Sequence, residues 1–422
     1  MASQVNPPRG MRDFLPADKA RREHVLSVIR STFRAHGFDE IETPVVEDSD
    51  RLHAGLGGDN EKLAFAVMRR GLTNDDLVAA GESGDYLDLA DLGLRFDLTV
   101  PLARFYASHR GELPAVFRAI QIAPVWRAER PQRGRFRQFV QCDIDIIGEA
   151  GPLAEIELIA ATTAAVEALG VEGTTIRIND RRILRRIVEQ LGISADDYEH
   201  ALVIIDKEDK IGVSGVVEEL VAAELGDAAV MTPILESLAD LPGDGWELHP
   251  STSWLDADAY DDLKAIRAAV GGSAKLVFSP NLVRGMGYYT GTIFEIAHPD
   301  LPYSLGGGGR YDGMIGRFLG QDVPAAGFSL GFERLVELVE LPEDGAAEAI
   351  ALVYDADVTP ARLAALKAEL TTSGSRVRLE RRTKNPKPLL DQLAASGFTR
   401  FAFVSSQAES LADLEIRPIT AQ

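Results

Sequence analysis

Apolar residues recur at helical spacing through residues 17–36, where Val25, Leu26, Ile29 and Phe33 share one face and Gly37 supplies a stop. Period-two alternation then takes over. Residues 38–46 read as a strand ending near Pro44, and in residues 94–100 Leu94, Phe96, Leu98 and Val100 alternate with Arg95, Asp97 and Thr99. Two longer strand-like runs, about 116–128 and 136–147, flank Arg130, Pro131, Gln132, Arg133 and Gly134, a turn that predicts an antiparallel hairpin. A helix over 153–168 and a short strand over 174–178 follow. From 190 to 272 the spacing is mainly helical, broken at Pro233, Pro242, Gly243 and Pro250. Strand patterns resume at 275–278 and 288–296, so the helical stretch reads as an insertion. The run Gly306, Gly307, Gly308, Gly309 reads as a flexible turn, and bare backbone of this kind also admits a ligand. Residues 328–339 read as a helix burying Leu330, Leu335, Val336 and Val339.

After a linker at 341–347 the pattern changes again. Strand (349–354), helix (capped by Thr359, with Pro360 in its first turn), strand (376–379), helix (388–395) and strand (401–404) alternate, which predicts a small α/β domain over 348–422. The fold class expected is α+β: a large antiparallel-sheet domain over 1–340, carrying the helical insertion at 190–272, plus the small C-terminal α/β domain.

The 65 acidic and 44 basic residues give a formal charge of −21, which excludes a generic basic coat for nucleic acid or anionic membrane. That charge is concentrated: residues 196–270 hold 18 acidic residues and four basic ones. Residues 343–422 are nearly balanced and contain a basic cluster of Arg376, Arg378, Arg381, Arg382, Lys384 and Lys387. A second cluster, Arg127, Arg130, Arg133, Arg135 and Arg137, surrounds the lone Glu129. Cys142 is the only cysteine, so no internal disulfide or cysteine zinc cluster can form. The seven histidines show no HxxxH or HExxH spacing, and no protein-bound zinc is expected. No signal-peptide core and no uncharged apolar run long enough to span a membrane is present, which predicts a soluble cytoplasmic protein.

The chemistry lies in strands that are polar where a sheet normally buries Val or Ile. Period two puts Phe139, Gln141, Asp143 and Asp145 on one face of the second hairpin strand, with Cys142, Ile144 and Ile146 on the other. Arg127 and Glu129 share a face of the preceding strand, and Arg95, Asp97 and Thr99 share another. An unpaired buried charge costs several kcal/mol, so such faces are either solvated or turned toward a polar ligand. Arginine rather than lysine matches bidentate recognition of phosphate, and Phe139 offers a platform for stacking a base. Neither GxxxxGK[ST] nor a strand–GxGxxG–helix occurs, and there is no GxSxG elbow. Cys142, on an apolar face, reads as an inert core thiol.

These residues resemble the class II aminoacyl-tRNA synthetases, and among them the histidyl-tRNA synthetase family. The stretch from Gly37 and Phe38 to Thr43 and Pro44 looks like the first class II motif, which in the family lies at the dimer interface. Val125-Trp126-Arg127-Ala128-Glu129-Arg130-Pro131 with Arg137-Gln138-Phe139 looks like the second, and Gly327 through Leu335 like the third. Arg284-Gly285-Met286-Gly287-Tyr288-Tyr289-Thr290-Gly291 is similar to the signature RGLDYYTG, with Gly287 where the family has Asp. Gly308-Gly309-Arg310-Tyr311-Asp312-Gly313 matches GGRYDG.

The resemblance implies roles residue by residue. Asp97, Leu98 and Thr99 would hold the substrate's amino group, and Gln141, Asp145, Tyr288, Tyr289 and Tyr311 would line the histidine pocket. Arg127 would bridge the histidine carboxylate and the ATP α-phosphate, and Arg284 would be the catalytic arginine. Glu129 and Phe139 would meet adenine, Arg135 and Arg334 the outer phosphates, and Gln132 with Arg133 the acceptor end of tRNA(His). It further implies ATP with Mg2+, a homodimer, no membrane association, and anticodon recognition by the C-terminal domain. The same likeness admits a second reading, a histidine-binding regulatory subunit of ATP phosphoribosyltransferase. That paralogue typically lacks the anticodon domain and the ATP and catalytic residues, whereas Arg127, Arg284, Arg334 and the C-terminal domain are present here.

Overall fold

The computed structural model describes residues 5–53, 63–131, 135–241, 243–249, 251–284, 288–340 and 348–419. Gln132, Arg133, Gly287, Pro242, Pro250 and the expected linker at 341–347 lie outside the described residues. The chain divides into two compact units, Met1–Arg12 with Val25–Val339, and Asp13–His24 with Glu340–Gln422.

Helix α1 (Pro16–Ala35) opens the chain, and Val25, Ile29 and Phe33 on its C-terminal half are fully buried in the first unit. Gly37 at φ +85° ends it, with the Phe38 N–H donating to the Phe33 carbonyl and the Gly37 N–H to that of Arg34. The strand expected over 38–46 is not continuous. β1 (Asp39–Glu40) joins one sheet and β2 (Val46–Asp48) another. Between them the Thr43 and Pro44 carbonyls accept from Arg95 Nη1 at 2.8 and 3.2 Å, a side chain standing in for a ladder partner.

α2 (Ser49–His53), β3 (Phe65–Met68), α3 (Asn74–Ser83) and β4 (Ala90–Leu94) follow, the strands forming an antiparallel sheet in the order β2–β4–β3. The strand expected over 94–100 stops at Leu94, and α4 (Thr99–His109) begins in its place. Asp97 Oδ1 accepts the Val100 N–H at 3.2 Å, and Pro101 sits in the first turn, where no donor is needed. Arg95 therefore does not share an open face with Asp97 and Thr99; it is buried among carbonyls.

β5 (Phe117–Trp126) and β6 (Gln138–Ile147) form the expected hairpin, in register from Phe117 opposite Ile147 to Trp126 opposite Gln138. α5 (Leu153–Ala168) and β7 (Thr175–Asp180) come next, then α6 (Arg181–Gln190), which the pattern did not resolve. The helical region continues through α7 (Tyr198–Ile205), α8 (Glu208–Ala222), α9 (Ala228–Ala239) and α10 (Ala257–Val270). Pro233 lies inside α9 and does not break it. The first unit ends with β8 (Leu276–Phe278), β9 (Thr292–Ala297), β10 (Gly306–Arg310), α11 (Asp312–Leu319), β11 (Ala325–Leu330) and α12 (Phe332–Leu338).

Eight strands make the main sheet in the order β1–β5–β6–β11–β10–β9–β7–β8, antiparallel except at the two outermost pairs. One face is apolar. Cys142, Ile144, Ile146, Phe328, Leu330, Phe294, Ile296, Ile176 and Ile178 belong to one core cluster, which also holds Leu158 and Ile159 of α5. The opposite face is polar, and the register draws a row straight across it: Gln121, Asp143, Ser329, Gly307, Glu295 and Arg177, each paired with the next.

The glycine run is not a turn but the centre of this sheet. A Cβ on Gly308 would strike the Gly327 carbonyl, and would come 2.8 Å from both the Phe294 ring and Phe328 Cα. The helix expected over 328–339 is likewise two elements: Phe328, Ser329 and Leu330 finish β11, and only Phe332 onward is helical. Leu330 fits the helical period only because a strand end abuts a helix start.

The second unit holds β12 (Ala349–Tyr354), α13 (Pro360–Thr372), β13 (Arg376–Arg381), α14 (Lys387–Ala395), β14 (Arg400–Val404) and β15 (Arg417–Pro418). Its sheet runs β13–β12–β14–β15, the first three strands parallel. Ile350 and Leu352 cluster with Leu363, Leu366 and Leu370 of α13, whereas Ala351 and Val353 cluster with Leu393 of α14 and Phe398. Both faces are covered, as a parallel sheet requires.

Because the Gly308 contacts are backbone and packed rings that cannot yield, Gly308→Ala is expected to cost about 3 kcal/mol, read as a lower midpoint in urea denaturation.

Candidate functional site

Two adjoining cavities, of about 210 and 450 Å³, lie against the polar face of the main sheet and share Arg127, Gln141, Tyr288, Tyr289, Gly307 and Ser329. The smaller is an acidic cup. Asp143 and Asp145 project from β6 and Asp97 from the start of α4, and Tyr288, Tyr289 and Tyr311 complete its wall. Gly327, opposite Asp145 on β11, has no Cβ because one there would collide with Asp145 Oδ1.

Each buried acid is partly satisfied. The Tyr311 hydroxyl donates to Asp145 Oδ1 at 2.6 Å; Gln141 Nε2 donates to Asp143 Oδ2 at 3.0 Å, and the Ser329 hydroxyl to Asp143 Oδ1. That is not enough to keep the carboxylates at ordinary acidity. Burial pushes Asp97 up to about 6, against the Val100 N–H and the Arg127 charge that favour its anion. Asp143 is pushed up to about 7, first by burial and further by the charge of Asp97. Asp145 rises well above the usual range, through burial and the neighbouring Asp143. The tyrosine hydroxyls are held protonated by the same burial. Gln141 is only 8% exposed, yet its Oε1 has no hydrogen-bond partner among the described residues. Acceptors outnumber donors, so the cup suits a ligand bringing N–H groups and positive charge.

The larger cavity has the opposite character. Arg127, Arg135, Arg284 and Arg334 line it together with Glu129 and Phe139. Arg127 stands at the junction: its Nε donates to the Phe96 carbonyl at 3.0 Å, and its guanidinium lies 5.0 Å from the Phe139 ring centre. Arg135 and Glu129 are 3.7 Å apart. Arg334 bonds the Ser304 carbonyl and lies 4.8 Å over the Tyr303 ring. Burial, and then the charges of Arg284 and Arg135, lower the Arg334 pKa, which is what crowded cations do before an anion arrives.

The structure thus gathers Asp97, Thr99, Arg127, Gln141, Asp145, Tyr288, Tyr289 and Tyr311 around one cavity, and Arg127, Glu129, Arg135, Phe139, Arg284 and Arg334 around the next. Leu98 lines neither: its side chain is fully buried and its carbonyl accepts from Gln121 Nε2 at 2.9 Å. Gln132 and Arg133 fall outside the described residues. Residues assigned no role from the sequence also take part: Asp143 stands in the same alternation as Asp145, Ser329 lies at a strand end that has helical spacing, and Ser304 carries no signal. Glu333, in the third motif, accepts the Val140 N–H at 3.2 Å and pairs with Arg12. Among the described residues no group of three or more His, Cys, Asp or Glu is arranged to hold a metal ion, and no helix is long and apolar enough to cross a membrane.

A family profile described as histidyl-tRNA synthetase matches residues 10–335. A histidyl-tRNA synthetase from Nostoc sp. PCC 7120 superposes with a TM-score of 0.77 at 25% identity, covering 99% of this chain and 95% of its own. An ATP phosphoribosyltransferase regulatory subunit/histidyl-tRNA synthetase from Bacillus halodurans reaches 0.75 at 20% identity over 96% and 99%, a likeness of fold alone. The fold of the first unit is that of the class II aminoacyl-tRNA synthetases. A histidine–tRNA ligase from Leifsonia xyli is 58% identical over the full length of both chains. The chain belongs to the histidyl-tRNA synthetase family.

The Asp143 shift has a definite sign. Its folded pKa, about 7, exceeds the ordinary 3.8, so the burial penalty is absent near pH 4 and complete above pH 7. The contribution of Asp143 to the stability of the ligand-free protein therefore falls as pH rises through that window. Asp143→Asn is expected to raise the thermal midpoint at pH 8, by on the order of 2 kcal/mol in stability, with the gain fading toward pH 4.

Proposed function

We propose that this chain activates L-histidine with ATP and transfers the histidyl group to tRNA(His), working through the two adjoining cavities. The observation that carries the reading is that an acceptor-rich cup and an arginine-lined cavity adjoin, with Arg127 in the wall they share. Family membership and 58% identity to a full-length histidine–tRNA ligase support it independently.

Histidine enters the cup with its ammonium toward Asp97, Thr99 and the open Gln141 Oε1, and its imidazole N–H groups toward Asp145 and the tyrosines. The substrate's positive charge relieves the mutual repulsion of Asp97, Asp143 and Asp145. Its carboxylate then lies beside Arg127, which also meets the α-phosphate. ATP occupies the larger cavity, adenine against Phe139 and Glu129, outer phosphates against Arg135 and Arg334, with magnesium arriving as part of the nucleotide substrate.

A carboxylate oxygen forms the new bond to the α-phosphorus while the bond to pyrophosphate breaks. Arg127 and Arg284 stabilise the charge that builds on the α-phosphoryl oxygens. No covalent intermediate with the protein is needed; positioning and preorganised charge perform the step. The terminal ribose hydroxyl of tRNA then attacks the activated carbonyl and AMP leaves. Gln132 and Arg133 are assigned to the acceptor end of the tRNA. The basic residues of β13 and the segment after it, Arg378, Arg381, Arg382 and Lys384, are assigned to its anticodon region. We assign a cytoplasmic homodimer, joined through the segment around β1, on the strength of the family resemblance.

Arg284→Ala is expected to lower histidine-dependent ATP–pyrophosphate exchange by roughly 100-fold or more while leaving the circular dichroism spectrum unchanged; exchange near the unaltered rate would overturn the assignment. Combining Arg378→Glu with Arg382→Glu is expected to leave exchange intact and to lower the rate of tRNA charging by roughly tenfold or more. Equal loss in both assays would remove the anticodon assignment.

A further inference from the structure

The polar row across the main sheet continues beyond both cavities, and its far end bears on Arg284. Glu295 on β9 pairs with Gly307 on one side and with Arg177 of β7 on the other. Arg284 Nε donates to Glu295 Oε2 at 2.8 Å, and Nη2 donates to the same oxygen at 2.5 Å and to Ser304 Oγ at 2.7 Å. The guanidinium also rests on bare backbone: a Cβ on Gly307 would run into Arg284 Cζ, Nη1 and Nε, its three nearest atoms.

Three of the five guanidinium N–H groups are thereby committed. Nη1 makes no hydrogen bond among the described residues, and Arg284 lines the larger cavity. Glu295 is itself braced. Its Oε1 lies 3.8 Å from Arg177 Nη1, and the same nitrogen donates to Asp209 Oδ2 of α8 at 3.3 Å. Glu295 is thus anchored from the strand opposite, and through Arg177 it reaches the helical insertion.

We infer that Glu295 is a positioning residue that, with Gly307 beneath it, holds the Arg284 guanidinium with its Nη1 edge presented to the reacting phosphate. The inference rests on the reading of Arg284 as the arginine that stabilises the α-phosphoryl group. Glu295 touches no substrate. It orients the group that does, and a displacement of about 1 Å in such a group lowers a rate by roughly 100-fold. The carboxylate is needed for its geometry rather than its charge, since a nearby anion by itself weakens the pull of Arg284 on phosphate. An amide of the same shape keeps an acceptor oxygen and is expected to keep much of the function.

The test is histidine-dependent ATP–pyrophosphate exchange by the full chain and its Glu295→Ala, Glu295→Gln, Gly307→Ala and Arg284→Ala variants, with thermal midpoints measured alongside. Glu295→Ala and Gly307→Ala are expected to lower kcat by roughly 10- to 100-fold, with the KM for histidine within about twofold of the original. Glu295→Gln is expected to recover most of that loss. Gly307→Ala places its methyl nearest the far end of a flexible side chain, so it is expected to keep the thermal midpoint and to read the effect even where Glu295→Ala unfolds the protein. Glu295→Ala or Gly307→Ala active within twofold, beside an inactive Arg284→Ala, would overturn the inference and leave the function standing. A parallel rise in KM and fall in thermal midpoint would assign Glu295 a merely structural part and overturn it as well. An active Arg284→Ala would instead remove the reading on which the inference rests.

Discussion

A carboxylate taken out of water must find a donor, a cation or a proton, and the main sheet is built around that demand. One face of β6 buries Cys142, Ile144 and Ile146 as any core strand would; the other buries Asp143 and Asp145. Among the described residues the donors to those acids are few: one tyrosine hydroxyl, one serine hydroxyl and one amide. The shortfall appears as raised pKa values and as an idle Gln141 oxygen. A cationic, N–H-rich substrate completes the set, so the energy that the free protein lacks is supplied at binding.

The same demand explains why glycine fills the middle of the sheet. Gly307, Gly309 and Gly327 lie on the polar face. There they leave room for the Arg284 guanidinium, for Tyr289 and for Asp145. Gly306 and Gly308 lie on the apolar face, where the Ser329 and Gly327 carbonyls, with the rings of Phe328 and Phe294, leave no room for a side chain. The row of glycines thus serves both faces at once. It lets charged groups lie flat over the backbone on one side and aromatic rings close over it on the other. Recognition and packing meet in one strand, β10.

Much of this was legible in the residues. The alternation at 139–145 separated the acidic face from the core face correctly. The C-terminal alternation of strand and helix placed β12, β13, α14 and β14 to within two residues, because their turns and caps are local, although β15 carried no signal; Thr359, for example, caps α13 by accepting from the Arg362 N–H. The failures share a cause. Residues 94–100 and 328–339 each cross from strand to helix within a few positions, and the apolar spacing runs on through the switch even where Gly331 marks it. The glycine run lacked any side chain from which periodicity could be read, and what holds it extended is its neighbours across the sheet. Arg95 looked like a partner of Asp97, but its role depends on the Thr43 and Pro44 carbonyls some fifty positions away. Clamping of Arg284 by Glu295 is invisible for the same reason, since strand register alone brings Glu295 and Gly307 together.

The lone thiol gives the molecule a practical property. Cys142 is fully buried on the apolar side of the sheet, within the main core. Reagents that alkylate sulfur reach it only when β6 is exposed. A cysteine introduced at a chosen surface position is therefore the one that a maleimide dye modifies in the native state, without first removing the natural residue. Distance-reporting fluorophores can accordingly be attached to the otherwise natural sequence.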